Sequence, residues 1–133
     1  MRPSISKFCF ACGERNPIGL RLRIEGDTQR VSTHFRPRRE HEGWEGVTHG
    51  GIIATLLDEV LAWICVKNGL NAVTARIDVK FRRPAKVGEE ISAHAELTQV
   101  RGNHVKGRAE VRSRDGGLIA EADALLLRVS ALP

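Results

Sequence analysis

The sequence predicts an α+β fold in which one long buried helix is wrapped by a curved antiparallel sheet of about six strands. Two observations carry this. Over residues 52–66, Ile52, Ile53, Leu56, Leu57, Val60, Leu61 and Ile64 recur at helical spacing, and Ala54, Ala62 and Trp63 leave little polar surface. Around that run, alternation of apolar and polar residues marks two strands before it and four after it. A helix that is apolar on most sides needs a surface to cover it, and a strongly curved antiparallel sheet provides one.

In chain order, residues 20–25 read Leu-Arg-Leu-Arg-Ile-Glu, a strict alternation, and Gly26-Asp27 supplies a turn. Residues 30–35 alternate again through Val31, Thr33 and Phe35 until Pro37. Residues 38–48 are polar, contain Gly43 and Gly46, and read as a loop. The helix ends near Asn68-Gly69. Beyond it, Ala75, Ile77, Val79 and Phe81 alternate with Arg76, Asp78, Lys80 and Arg82 before Pro84, and a similar pattern runs from Ile91 to Thr98. Gly102-Asn103 breaks the pattern, residues 105–113 resume it, Asp115-Gly116-Gly117 turns the chain, and residues 118–129 form a last long strand. The expected order is β-β-α-β-β-β-β, with the last four strands a meander.

At 133 residues the chain fits one domain, with an N-terminal segment over 1–18 that carries Cys9-x-x-Cys12 and a folded domain over 19–133. No stretch approaches the ~20 apolar residues that cross a bilayer, and residues 1–7 lack the apolar core of a secretory signal. A cytoplasmic protein without membrane association is the expectation. Three cysteines, an odd number, argue against a disulfide framework.

The net charge of +5 favours an anionic partner. Lys and Arg are spread along the chain, Tyr is absent, and two Trp and four Phe would furnish a poor base-stacking platform. A small polyanion such as a phosphorylated nucleotide fits the charge equally well, and charge alone does not decide.

The sharpest local feature is His49-Gly50-Gly51 at the entry to the helix. Glycines there let a ligand approach the backbone, and the first N–H groups of a helix lack intrahelical partners at the positive end of its dipole. A thioester carbonyl at that point would have its developing oxyanion stabilised. The bland alternative is a turn whose glycines relieve crowding. Nine residues beyond His49, Asp58 sits within the apolar run. A carboxylate there needs a cleft or a partner, and could serve as general base or as nucleophile, or bond a neighbouring backbone group or Arg. Glu59 lies ~100° further round the helix, so the two cannot both face one cleft. Sequence does not choose between them. Cys9-x-x-Cys12-Gly13 invites a zinc reading, but zinc needs four ligands and there is no second such pair. His41 or Cys65 would have to complete the set, and two ordinary thiols in a turn, with no metal, is the favoured reading.

The run from Glu42 through Gly43, Trp44, Val47, Thr48, His49, Gly50 and Gly51 to Asp58 resembles the signature of PaaI-type thioesterases in the hotdog-fold 4-hydroxybenzoyl-CoA thioesterase superfamily. Cys9-Phe10-Ala11-Cys12-Gly13 with Asn16-Pro17-Ile18-Gly19-Leu20 resembles the opening of one branch of that group, and Phe81-Arg82-Arg83-Pro84-Ala85-Lys86-Val87-Gly88 its strand-ending segment. The resemblance implies a hotdog fold and an acyl-CoA thioesterase without a cofactor. It assigns backbone oxyanion donors to Gly50 and Gly51, thioester polarisation to His49, and the base or nucleophile to Asp58. It gives Thr74 the task of orienting water from the partner subunit. Relatives that carry a catalytic Asn six residues before the His contrast with Gly43 here. CoA phosphates would be met by Arg82, Arg83 and Lys86, or by Arg101, His104 and Lys106. Trp44 and Trp63 would wall the acyl pocket. A homodimer, or a dimer of dimers, would cover open sheet edges. A non-catalytic acyl-CoA-binding module and a hotdog dehydratase are the alternatives on the same fold.

Overall fold

The computed structural model describes residues 5–129. Six strands form one sheet: β1 (Glu25–Gly26), β2 (Val31–Phe35), β3 (Ala72–Phe81), β4 (Ile91–Arg101), β5 (His104–Ser113) and β6 (Leu118–Arg128). The helix α1 (Gly50–Lys67) packs across it, and a single 3-10 turn, Arg39–His41, interrupts the loop before α1. This is the hotdog arrangement, with one helix against a curved antiparallel sheet.

The strand order is β1-β2-β4-β5-β6-β3, antiparallel throughout. The expected four-strand meander is therefore only a three-strand one. The 18 residues of α1 span about 27 Å at 1.5 Å per residue. They carry the chain over the sheet before β3 begins, so β3 lands beside β6 and the later strands fill the gap.

One further expectation is corrected. Residues 20–24 belong to no ladder of the sheet, although Leu20 and Leu22 are buried as the alternation requires. Their N–H groups bond the carbonyls of Phe10 and Ala11 instead, which ties the N-terminal segment to the domain and buries Ala11 in its core. In β3 the apolar positions are not buried: Ile77 and Val79 are half-buried, and Val73 and Phe81 are exposed. An edge strand lacks a neighbour on one side, and a bulge between Thr74 and Arg76 shifts its register.

The core lies between α1 and the sheet. Leu56, Leu57, Val60, Leu61 and Ile64 are essentially fully buried, and they face small residues such as Ala93, Ala95, Ala109, Ala120 and Ala122. Close approach needs that smallness. A Cβ on Gly107 of β5 would lie 2.8 Å from Leu61 Cδ2.

Candidate active site along helix α1

The loop that delivers His49 is fixed by backbone bonds to two neighbouring segments. His41, buried and edge-on to the Phe35 ring with centroids 5.1 Å apart, accepts the Arg38 N–H on Nδ1 at 2.9 Å. Its carbonyl accepts the His49 N–H at 2.8 Å. Burial first, then the Arg38 charge, lowers the His41 pKa from its ordinary value, which suits a ring that must accept. From the other side, the Thr48 N–H bonds Ala85 O at 2.8 Å and the Val87 N–H bonds Gly46 O at 3.0 Å. The segment after β3 is thus an anchor for the His49 loop. His41 and Ala85 are positioning residues whose backbone role carries no sequence signal.

His49 is the N-cap of α1, and its Nδ1 accepts the Gly51 N–H at 2.8 Å. An imidazole that accepts at Nδ1 carries its proton on Nε2, which is then its donor. The Gly51 N–H is therefore engaged. The Gly50 N–H, at the first helical position, has no acceptor among the described residues and is the donor left open at this helix end. Gly43, Trp44, Thr48, His49 and Gly50 line an open cleft of about 430 Å³. The Thr48 hydroxyl is buried there without a hydrogen-bond partner. A Cβ on Gly43 would lie 3.2 Å from His49 Cα, so this glycine admits the imidazole at close range.

Asp58 and Glu59 separate completely. Asp58 is exposed, and the Thr74 hydroxyl donates to its Oδ1 at 2.7 Å. The pair forms within one chain, whereas the resemblance implied a Thr74 that acts from the partner subunit. Thr74 reaches Asp58 because β3 starts beside the helix it follows. Glu59 is turned towards the N-terminal segment, where the Cys9 thiol donates to its Oε2 at 3.8 Å. Cys12 joins them; burial, then Glu59 and Cys9, holds its thiol strongly protonated. His41 and Cys65 take no part. The former is committed to the loop, and the latter is buried in the core with its pKa pushed up to about 11 by burial.

Within one chain the predicted residues form two groups. Gly50 and Asp58 are eight residues apart on one helix, or about 12 Å along its axis. No single carbonyl can meet both.

The basic residues also divide. Arg82, Arg83 and Lys86 follow the end of β3 that packs near Gly50, where the Phe81 ring lies 3.5 Å from the position of a Gly50 Cβ. Arg82 pairs with Glu121 at 3.2 Å and Arg83 with Asp115 at 3.1 Å, whereas Lys86 has no acidic partner among the described residues. Arg101 and His104 close the β4–β5 turn, where His104 pairs with Leu127 at the far end of β6 from Ala120, the partner of Phe81. Lys106 lines a separate cleft with Arg76, Asp78 and Asp123. The two tryptophans do not share a wall within one chain. Trp44 is 86% exposed at the His49 cleft, while Trp63 is half-buried about 20 Å along the helix from Gly50.

Residues 45–120 match the family model of the thioesterase superfamily. The chain belongs to that superfamily. Its relatives include the Xenopus laevis acyl-coenzyme A thioesterase THEM4, 28% identical over 102 residues, covering 76% of this chain and 46% of that protein. The chain spans about half the length of the curated relatives it matches. Two structural comparisons show the shared fold. The E. coli PaaI protein of the phenylacetic acid degradation operon superposes with a TM-score of 0.78 at 21% identity, over 82% of this chain and 84% of that one. A Streptococcus pneumoniae thioesterase-like protein, solved with coenzyme A, also gives 0.78, at 16% identity over 81% and 85%. That protein has been solved with an aspartate and, separately, a threonine replaced by alanine, sixteen positions apart in its chain. Asp58 and Thr74 have the same separation.

Proposed function

We propose that the chain hydrolyses acyl-CoA thioesters as a homodimer, each active site taking the N-terminus of α1 from one copy and the Asp58–Thr74 pair from the other. The observation that carries this reading is the distance of about 12 Å between Gly50 and Asp58 along one helix. An unpartnered helix N–H and an exposed carboxylate are both at hand, and a second helix lying alongside would bring them to one carbon. The exposed edge of β3, with Val73 and Phe81 uncovered, supplies a surface on which two copies can pair and set their helices side by side. The name of the THEM4 relative and the coenzyme A bound to the pneumococcal neighbour support the substrate class. The paired aspartate and threonine replacements in that neighbour support the site.

In this mechanism the thioester oxygen accepts the Gly50 N–H, with the His49 imidazole beside it. Such a donor stabilises a developing oxyanion by about 2.7–4 kcal/mol. Thr74 engages Oδ1 of Asp58, which leaves Oδ2 to take a proton from water. The water oxygen adds to the carbonyl carbon. Collapse of the tetrahedral intermediate breaks the C–S bond, and the departing thiolate takes the proton held on Asp58, which gives CoA and the free acid and restores the carboxylate. Direct attack by Asp58, through an anhydride that water then opens, uses the same geometry. Lys86, near the Gly50 end, is the basic residue best placed for a CoA phosphate.

Thiol release from a panel of short, long and aromatic acyl-CoAs tests the reading. Turnover by the native protein, lost in Asp58→Asn, is the expected result. Tight CoA binding without release would instead make the chain an acyl-CoA-binding module, and water addition to an enoyl-CoA would make it a dehydratase.

A further inference from the structure

The motif Cys9-Phe10-Ala11-Cys12-Gly13 takes no part in the proposed hydrolysis, but it has a defined geometry. The Cys12 N–H points at Cys9 Sγ at 3.4 Å, and the Gly13 N–H bonds the Cys9 carbonyl at 2.8 Å. The turn is tight enough that a Cβ on Gly13 would lie 2.4 Å from Cys9 N, so only glycine fits. Both sulfurs then sit on one side of the turn. Fifty residues later, α1 presents Glu59 to them, and the two sulfurs and a Glu59 carboxylate oxygen all lie within 4.8 Å of one another.

We propose that Cys9, Cys12 and Glu59 bind a zinc ion that clamps the N-terminal segment to α1. The donor set is chemically apt, because two thiolates and one carboxylate suit a borderline-soft divalent ion. The spacing is apt as well. With Zn–S of about 2.3 Å and Zn–O of about 2.1 Å, tetrahedral ligands stand about 3.8 Å apart for S···S and 3.6 Å for S···O. The Cys9 sulfur is 3.8 Å from Glu59 Oε2. All three residues are half-buried, so the ion has one face towards solvent for a fourth ligand such as water. The clamp also has a visible purpose. It fastens to the helix position next to Asp58 a turn that sends Ala11 into the core but leaves Phe8 and Phe10 exposed.

The full chain, purified reduced from zinc-supplemented cells, should retain one zinc per chain after gel filtration, and Cys12→Ala and Glu59→Ala should lose it. Removal of the metal by a chelator should lower the melting temperature, and added zinc should restore it. Cobalt added to the chelated native protein should give the thiolate charge-transfer bands and the intense visible bands of a tetrahedral site. If Cys12→Ala fails to fold, that cobalt spectrum decides on the native chain alone. Three results would overturn the proposal: a native chain that binds neither metal, equal zinc in the native and Glu59→Ala chains, or a Cys9–Cys12 disulfide that persists under the reducing conditions of purification.

Discussion

Asp58 and Glu59 are neighbours in sequence with the same functional group, yet they stand in two different regions of the molecule. One step of the helix, ~100°, turns Asp58 to an exposed face where its only described partner is the Thr74 hydroxyl. The same step turns Glu59 inward, against two thiols from a segment fifty residues away. The first arrangement leaves a carboxylate oxygen free to meet water. The second surrounds a carboxylate with soft donors and fixes it. On the proposed function, position on the helix circumference, more than residue type, divides chemistry from architecture.

The contrast can be broken most sharply by activity. Asp58→Asn should lower kcat for acyl-CoA hydrolysis by about 10²–10⁴, the range for loss of a general base, and leave the melting temperature close to native because the site is exposed. Glu59→Gln should do the reverse, with turnover largely kept and thermal stability reduced. An equal loss of kcat in both variants would erase the distinction. Next in size is Gly50→Pro, expected to cost about 10²–10³ in kcat by removing the unpartnered N–H. Proline is tolerated at a first helical position, and His49, with φ −59° and ψ 136°, already has the conformation that a residue before proline prefers. Thr74→Val should cost less, roughly 10–100-fold in kcat, since it removes one hydrogen bond to a charged group worth about 1.5–3 kcal/mol. A loss in KM alone would show that Thr74 serves binding and not the orientation of Asp58.

The smallest effect lies outside both faces. Burial lowers the pKa values of His41 and His94 below 6.5, with Arg38 and Arg30 adding to the shift. A histidine whose folded pKa is depressed contributes stability that is complete above its unfolded value and is lost as pH falls through the folded value. Urea midpoints should therefore drop as pH falls from about 7 to 5, and His94→Gln should make that dependence shallower.

Much of the fold was legible because periodicity is local. The 52–66 run became α1 with its expected buried face, and β2, β4, β5 and β6 fell within a residue or a few of their alternating stretches. Strand order was not legible, because the place of β3 beside β6 follows from the path of the helix over the sheet and not from any pattern within β3. Residues 20–24 alternate as a strand does, yet they pair with a turn that has no periodicity of its own. Of the candidate site, His49, Gly50 and Asp58 could be nominated from the sequence, as candidates and no more. The capture of the Gly51 N–H by His49, and the carbonyl of His41 that holds the loop, could not be, since backbone groups leave no compositional trace. The partners of Glu59 were hidden by sequence distance, Cys9 lying 50 positions before it. Considered alone, the cysteine pair pointed to His41 or Cys65 as further ligands, and the fold commits both of those elsewhere.

The central claim is that one active site draws Gly50 from one copy and Asp58 from another, and subunit mixing tests it most directly. Asp58→Asn and Gly50→Pro chains, each nearly inactive alone, are unfolded and refolded together. A shared site predicts that the mixture regains activity, because each heterodimer rebuilds one site with an intact Gly50 and an intact Asp58. A mixture as inactive as its two parents, with heterodimers shown to have formed, would contradict the account.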